Sequence, residues 1–175
     1  MSVRLRLRPT LPSDLGFVLA AQQTAAEELA AGLWERPQHE AALRLSDFRH
    51  LLAEGGPGLE PVGYALLAGC RNPHGAVGLR QLVVQPRSRG FGRAALRGLK
   101  KLVFGELRAH RFWLELPGQA TRAQALFEQE GFAAEGRLRE AVRSARAGGG
   151  FEDLLVMSIL QPEFAARHAR GLELI

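Results

Sequence analysis

Two glycines two residues apart, Gly90 and Gly92, separate the apolar run from Leu79 to Val84 from a long amphipathic segment ending near Leu107. That order predicts a strand, a tight turn and a helix, with Arg89, Gly90, Phe91, Gly92, Arg93 and Ala94 where the helix begins. A helix N-terminus carries about four unpaired N–H groups and the positive end of the dipole, so it attracts anions. Glycines without a Cβ let a phosphate come close to the backbone. A Walker loop would need Lys and then Ser or Thr after its last glycine, but Arg93 and Ala94 stand there. The dinucleotide fingerprint would need a third glycine at Ala95 and a βαβ repeat, which leaves that reading weak. The bland alternative is a tight strand-to-helix turn with no ligand.

The rest of the chain must position that turn. Val3, Leu5 and Leu7 alternate with Arg4, Arg6 and Arg8, as in a half-exposed edge strand. Thr10, Pro12, Ser13 and Asp14 are helix-start residues, and Leu15, Val18, Leu19, Ala25, Ala26 and Leu29 predict one long helix up to Gly32. Trp34, Glu35, Arg36 and Pro37 break it, and a second helix follows with Ala41 and Leu45 on one face. Trp34 suits either the core edge or the lining of a substrate cleft. The segment from Phe48 to Ala53 is ambiguous, since Ala41, Leu45, Phe48 and Leu52 keep the helical period while EGGPGLEP reads as a hairpin turn. The run VGYALLAGC, a turn from Asn72 to Gly75 and the run from Val77 to Val84 predict two antiparallel strands.

After the glycine turn, Leu96, Leu99 and Val103 mark the buried stripe of a basic helix. RFWLEL is a further strand, Thr121 and Gln124 have capping-box spacing, and Ala123, Leu126 and Phe127 form the apolar face of a short helix closed by Gly131. Arg137 to Arg143 and Phe151 to Leu160 read as two last strands, and Pro162 to Leu174 as a terminal helix. The expected fold class is α/β, a mostly antiparallel sheet flanked by helices with one parallel pair beside the glycine turn.

The 175 residues fit one domain spanning 1–175, and 46% hydrophobic content suffices for a core. The net charge is +5, but the basic residues are mostly scattered arginines, with Lys100 and Lys101 the only lysines. That bias fits genome composition better than a nucleic-acid surface, so no nucleic-acid partner is expected. Cys70 is the single cysteine, which rules out an internal disulfide and a cysteine-rich zinc site. No His, Cys or carboxylate cluster has metal-ligand spacing, so no metal is expected. The start lacks a hydrophobic signal core and no run of about 18 apolar residues occurs, which predicts a soluble cytoplasmic protein without a membrane partner.

The order Val84, Pro86, Arg89, Gly90, Gly92, Ala94 resembles the acetyl-CoA loop of the GNAT superfamily of N-acetyltransferases. The segment LELPGQATRAQALFEQEGF resembles that superfamily's second signature, with Ala123, Leu126, Gly131 and Phe132 in matching places. The likeness runs from about Leu5 to Leu160 and is firm from Leu79 on. The continuation, with Glu135, Gly136, Arg139, Asp153, Met157 and Ser158, resembles the branch that acetylates protein N-termini, ribosomal proteins included. The resemblance implies a GNAT-like fold, favours a strand at Phe48–Ala53, and implies acetyl-CoA as co-substrate. Leu82 and Val84 would face the pantetheine arm, and the amides from Gly90 to Ala94, with Arg89, Phe91, Gly92 and Arg93 among them, would face the phosphates. Phe127 stands where many members carry the Tyr that protonates the leaving thiolate, and Ala120 where they carry Asn. A phenyl ring has no proton to give, and Tyr64, the only tyrosine, is distant in sequence.

Glu115, on a strand face with Trp113 and just before the second motif's helix, is the candidate base; the alternative is a strand-end carboxylate paired with an arginine. Glu35 and His39 are further candidates for substrate contact, with Trp34, or for relaying a proton. The expected activity is transfer of acetyl from acetyl-CoA to a primary amine, a peptide N-terminus or a small molecule, in a ternary complex. The rivals are a non-catalytic acyl-CoA-binding module and a basic nucleic-acid-binding protein. The last strands offer a route to a homodimer.

Overall fold

The computed structural model describes residues 3–87 and 89–171. Alternation at the N-terminus makes β1 (Leu5–Pro9), an edge strand whose Arg6 and Arg8 both reach Glu54 on β2, at 2.5 and 2.7 Å. β2 (Phe48–Gly55), β3 (Glu60–Ala68) and β4 (Ala76–Val84) follow in antiparallel order. Phe48–Ala53 is therefore strand, and Leu51, Leu52 and Ala53 are buried in it. β5 (Arg111–Pro117) lies parallel to β4, and β7 (Phe151–Leu160) and β6 (Ala133–Arg143) complete a seven-stranded sheet in the order β1-β2-β3-β4-β5-β7-β6.

Two apolar clusters sit on this sheet. Leu96, Leu99 and Val103, from α3 (Phe91–Lys101) and the π-turn after it, are fully buried as their stripe predicts. They join Phe127 of α4 (Thr121–Gln129) over Leu79, Phe112, Leu114 and Met157. The second cluster packs Leu15 and Val18 of α1 (Leu15–Gln23) with Ala25 and Leu29 on Leu52, Tyr64 and Val83. α2 (Arg36–Arg44) packs near β2, and α5 (Gln161–Ala169) follows β7. The expected extension of the last helix beyond residue 171 lies outside the described residues. Among those residues no helix is long and apolar enough to cross a membrane.

Three local expectations are corrected. The first helix does not run to Gly32: the Thr24 hydroxyl donates to Ala21 O at 2.7 Å, Ala25 leaves helical angles, and a short 3-10 turn follows. That break turns Ala25 and Leu29 into the core. On α2 the buried residues are His39 and Ala42, while Leu45 is 54% exposed, because the helix docks through a polar contact described below. Thr121 and Gln124 form no capping box: Ala120 is the N-cap, and the Gln124 side chain donates to Glu128 at 2.9 Å.

The sheet opens where β4 and β5 part. Their parallel register runs from Ala76 opposite Arg111 to Leu79 opposite Leu114, and stops there although each strand continues. On the other side of β4, Leu67 pairs with Leu79 and Leu66 with Gln81, so Arg80 is bulged out of the ladder. The bulge and the lost pairing coincide, which leaves a wedge in the sheet at its centre.

Candidate functional site

The wedge continues into a cavity of about 410 Å³ whose wall includes Leu82, Val84, Gly90, Gly92, Arg93, Glu115 and Phe127. The glycine turn forms one end of it. Gly90 is the N-cap of α3 with φ +79°, a left-handed conformation that disfavours side chains. A Cβ there would also lie 2.9 Å from Val3 Cγ2. Phe91, buried under the turn, faces away from the cavity: a Cβ on Gly55 would come within 2.7 Å of its ring, so the glycine makes the socket that pins the helix start to β2.

The first bond of α3 runs from Ala94 N–H to Gly90 O at 3.0 Å. The Ala94 amide is thus engaged inside the helix, whereas the sequence expectation has it face a phosphate. The amides of Gly90, Phe91, Gly92 and Arg93 precede it and have no acceptor in the helix. Four N–H groups at a dipole's positive end, beside a glycine whose added Cβ would meet Leu126 at an ordinary 3.5 Å, fit the diphosphate of a nucleotide coenzyme. Arg89 is exposed and lies outside the cavity wall.

Arg93 is held from behind. Its guanidinium lies 3.2 Å from Glu130 and also bonds Gln129, both at the end of α4. Glu130 is almost wholly buried and also takes Arg97 at 3.0 Å and Lys100, itself fully buried, at 3.1 Å. Burial would raise the Glu130 carboxyl, but hydrogen bonds from Arg97 and the charge of Lys100 outweigh it and hold the group below the usual carboxylate range. This cluster ties α3 to α4 across the glycine-turn end of the cavity.

Glu115 stands in the wall on the β5 side of the wedge, half-buried. Its carboxylate makes no hydrogen bond or ion pair with any described residue, so the arginine-paired alternative is not what the structure holds. Glu28, at the same cavity, is paired with Arg87 at 2.5 Å. Among the described wall residues none is Tyr, His, Ser or Cys. Tyr64 is fully buried; its hydroxyl donates to Gln81 at 2.9 Å and is pushed up by burial. Gln81 in turn donates to Gly32 O at 2.9 Å, so Tyr64 braces the segment before Trp34.

The structure does not bring Trp34 and Glu35 to the cavity. Trp34 exchanges two hydrogen bonds with the Gln22 side chain and packs on His39 and Phe48, the core-edge role. Glu35 is the exposed N-cap of α2, where its N–H donates to Gln38 Oε1 at 2.8 Å. His39 is buried, with Nδ1 2.9 Å from His50 Nε2, and lies outside the cavity wall. Cys70 is a half-buried free thiol that burial pushes up. No group of three His, Cys, Asp or Glu residues among the described ones could hold a metal ion. Glu28 and Arg80 were not expected at the cavity; the bulge that places Arg80 there has no signature in the strand's apolar pattern.

Residues 19–132 match the model of the acetyltransferase (GNAT) family. No curated protein sequence matches the chain at a significant level. Among solved structures, spermidine N-acetyltransferase from Vibrio cholerae, in complex with CoA and spermine, has TM-score 0.81 at 22% identity, covering 92% of this chain and 98% of that one. Mutant forms of the spermidine/spermine N-acetyltransferase SpeG from Vibrio cholerae give TM-score 0.80 at 22% identity, covering 94% of this chain and 98% of that one. At that identity the likeness is one of fold.

Proposed function

The chain belongs to the acetyltransferase (GNAT) family, and from that premise we propose that Glu115 assists direct transfer of an acetyl group to a primary amine seated in the wedge between β4 and β5. As a family member the protein is an acetyl-CoA-dependent N-acetyltransferase. In this reading the amides from Gly90 to Arg93 take the coenzyme's diphosphate, and the divergent edges of Leu82–Val84 and β5 admit the thioester arm. The amine nitrogen bonds to the thioester carbonyl carbon and gives its extra proton to Glu115, the C–S bond breaks, and the coenzyme leaves as the thiolate.

The chemistry asks little of the protein beyond placement. An alkyl amine with pKa about 10.4 is under about 1% neutral at pH 7, and an α-amine near 8 is roughly a tenth neutral. Near-attack geometry supplies about 7 to 11 kcal/mol, against about 3 to 6 kcal/mol for a general base. With phenylalanine at position 127 the leaving thiolate takes its proton from water, which a good leaving group tolerates.

The observation that carries this reading is the Glu115 carboxylate at the point where the strands part, without a hydrogen bond or ion pair to any described residue. A small-molecule amine is the favoured acceptor, supported by the spermine-bound structural neighbour; a ribosomal protein N-terminus is the second reading, supported by the sequence pattern after Gly131. Glu115→Gln should lower kcat for thiol release about 100- to 10,000-fold while leaving coenzyme A affinity unchanged. An unchanged rate would remove Glu115 from the chemistry.

A further inference from the structure

The described wall of the large cavity carries four arginines, Arg80, Arg87, Arg93 and Arg122. Three are engaged: Arg87 pairs with Glu28, Arg93 with Glu130, and Arg122 has a partner too. Arg80 is half-buried and makes no hydrogen bond or ion pair with any described residue. Of the two carboxylates in the same wall, Glu28 is taken by Arg87, which leaves Glu115 in the same condition as Arg80. A charge partly withdrawn from water without a counter-charge loses solvation and gains nothing in return. Two such charges of opposite sign in one cavity point to a ligand that answers both.

The strands bring the two to the same level. Leu79 opposite Leu114 is the last pair of the parallel ladder, so Arg80 and Glu115 are the next residue on each strand, one on each lip of the wedge. Paired strands lie about 4.8 Å apart, close enough for neighbouring charges to meet across the ladder. Here the strands part and Arg80 is bulged, and the two form no ion pair with each other.

Arg80 is also badly placed for the coenzyme's phosphates. Four residues at about 3.3 Å each, roughly 13 Å, separate it from Val84 at the end of β4, and the loop to Gly90 lies beyond that. Its charge therefore belongs to the thioester end of the cavity, where Glu115 stands.

We infer that Arg80 binds a carboxylate of the acceptor while the amine to be acetylated lies beside Glu115, which makes the acceptor an amino carboxylate. This rests on the transferase reading above and adds the class of its acceptor: a zwitterion whose two charges match the two unpaired ones in the wall. The planar guanidinium fork takes a carboxylate through two parallel hydrogen bonds, a geometry that orients a small substrate. In the transfer the nitrogen bonds to the acetyl carbon, its extra proton goes to Glu115 and the thiolate leaves, while the carboxylate on Arg80 keeps its charge. A second ammonium group on the acceptor would instead bring a like charge to Arg80.

The test is thiol release from acetyl-CoA with glycine, β-alanine, 4-aminobutanoate and L-phenylalanine, each against the amine lacking the carboxylate, at equal concentrations of neutral amine. Wild type should prefer the best amino carboxylate by about 10- to 100-fold in kcat/KM, the range of a hydrogen bond to a charged group. Arg80→Gln should bring that ratio close to one while binding coenzyme A as tightly as wild type does by calorimetry, and Arg80→Lys should keep part of the preference. A wild type that shows no preference, or that takes 1,4-diaminobutane better than every amino carboxylate, overturns the assignment, and acetylation of the plain amines then leaves the transferase standing. Arg80→Gln that keeps the preference overturns it too, as does a loss of coenzyme A affinity in that variant, which would place Arg80 on the coenzyme. Thiol release that no amine accelerates would instead overturn the transferase reading and this one with it.

Discussion

Mild acid should destabilise this protein through two buried histidines. His50 Nδ1 lies 2.9 Å from Thr10 Oγ1, its Nε2 2.9 Å from His39 Nδ1, and His39 Nε2 3.4 Å from Gln22 Oε1. Both rings are buried, and His50 stacks on Tyr64 with centroids 5.7 Å apart. Burial pushes His50 down to about 4, with His39 adding to the shift and Asp14 opposing it; burial also lowers His39. The folded pKa is depressed, so the unfolded chain binds the proton first. The stabilisation is therefore fully present above about 6.5 and is lost as pH falls towards 4. For His50 alone, a shift from 6.5 to about 4 means a loss of about 2 kcal/mol between pH 7 and pH 5. In a chain of this length that lowers Tm by about 4 to 8 °C. The carboxyls of Asp14, Glu54, Glu130 and Glu135 are held low by their cationic partners and lose stabilisation only further down, below about 4.5. Melting curves at pH 7, 6 and 5 should show the fall in wild type, and the double variant His39→Gln/His50→Gln should lose most of the slope. A wild-type Tm that stays flat over this range, or a double variant with the full slope, would refute the reasoning.

Two other substitutions probe the coenzyme end. Gly90→Ala forces a side chain into a left-handed conformation and towards Val3, which should cost about 1 to 2 kcal/mol and weaken coenzyme A binding; unchanged affinity by calorimetry would contradict it. Lys100→Met removes a buried cation from Glu130 and should cost about 3 kcal/mol in urea unfolding at pH 7, where a loss below about 0.5 kcal/mol would show the network to be dispensable.

Much of the frame was legible because it depends on neighbours along the chain. The stripe of Leu96, Leu99 and Val103 and the alternation of Leu5 and Leu7 with arginines each declare which face is buried, and glycines 90 and 92 declare the turn. The α1 break was hidden because Ala25 and Leu29 keep the helical period while a single threonine ends the helix. The capping box at Thr121 failed by one residue of register, which spacing alone does not resolve. His39 and His50 meet through a helix docked on a strand, and Arg80 and Glu115 come level through strand pairing. Such relations arise only once the sheet order exists. Trp34 and Glu35 drew notice as a large aromatic and a charge in a loop, yet they serve the packing of α2.

The claim everything rests on is that four backbone amides at the start of α3 receive the coenzyme's diphosphate. Amide proton and nitrogen shifts recorded as coenzyme A is titrated in test it directly. Gly90, Phe91, Gly92 and Arg93 should move furthest, with Ala94, already bonded to Gly90, moving less. Saturation of the protein by coenzyme A with those four signals unmoved would contradict it.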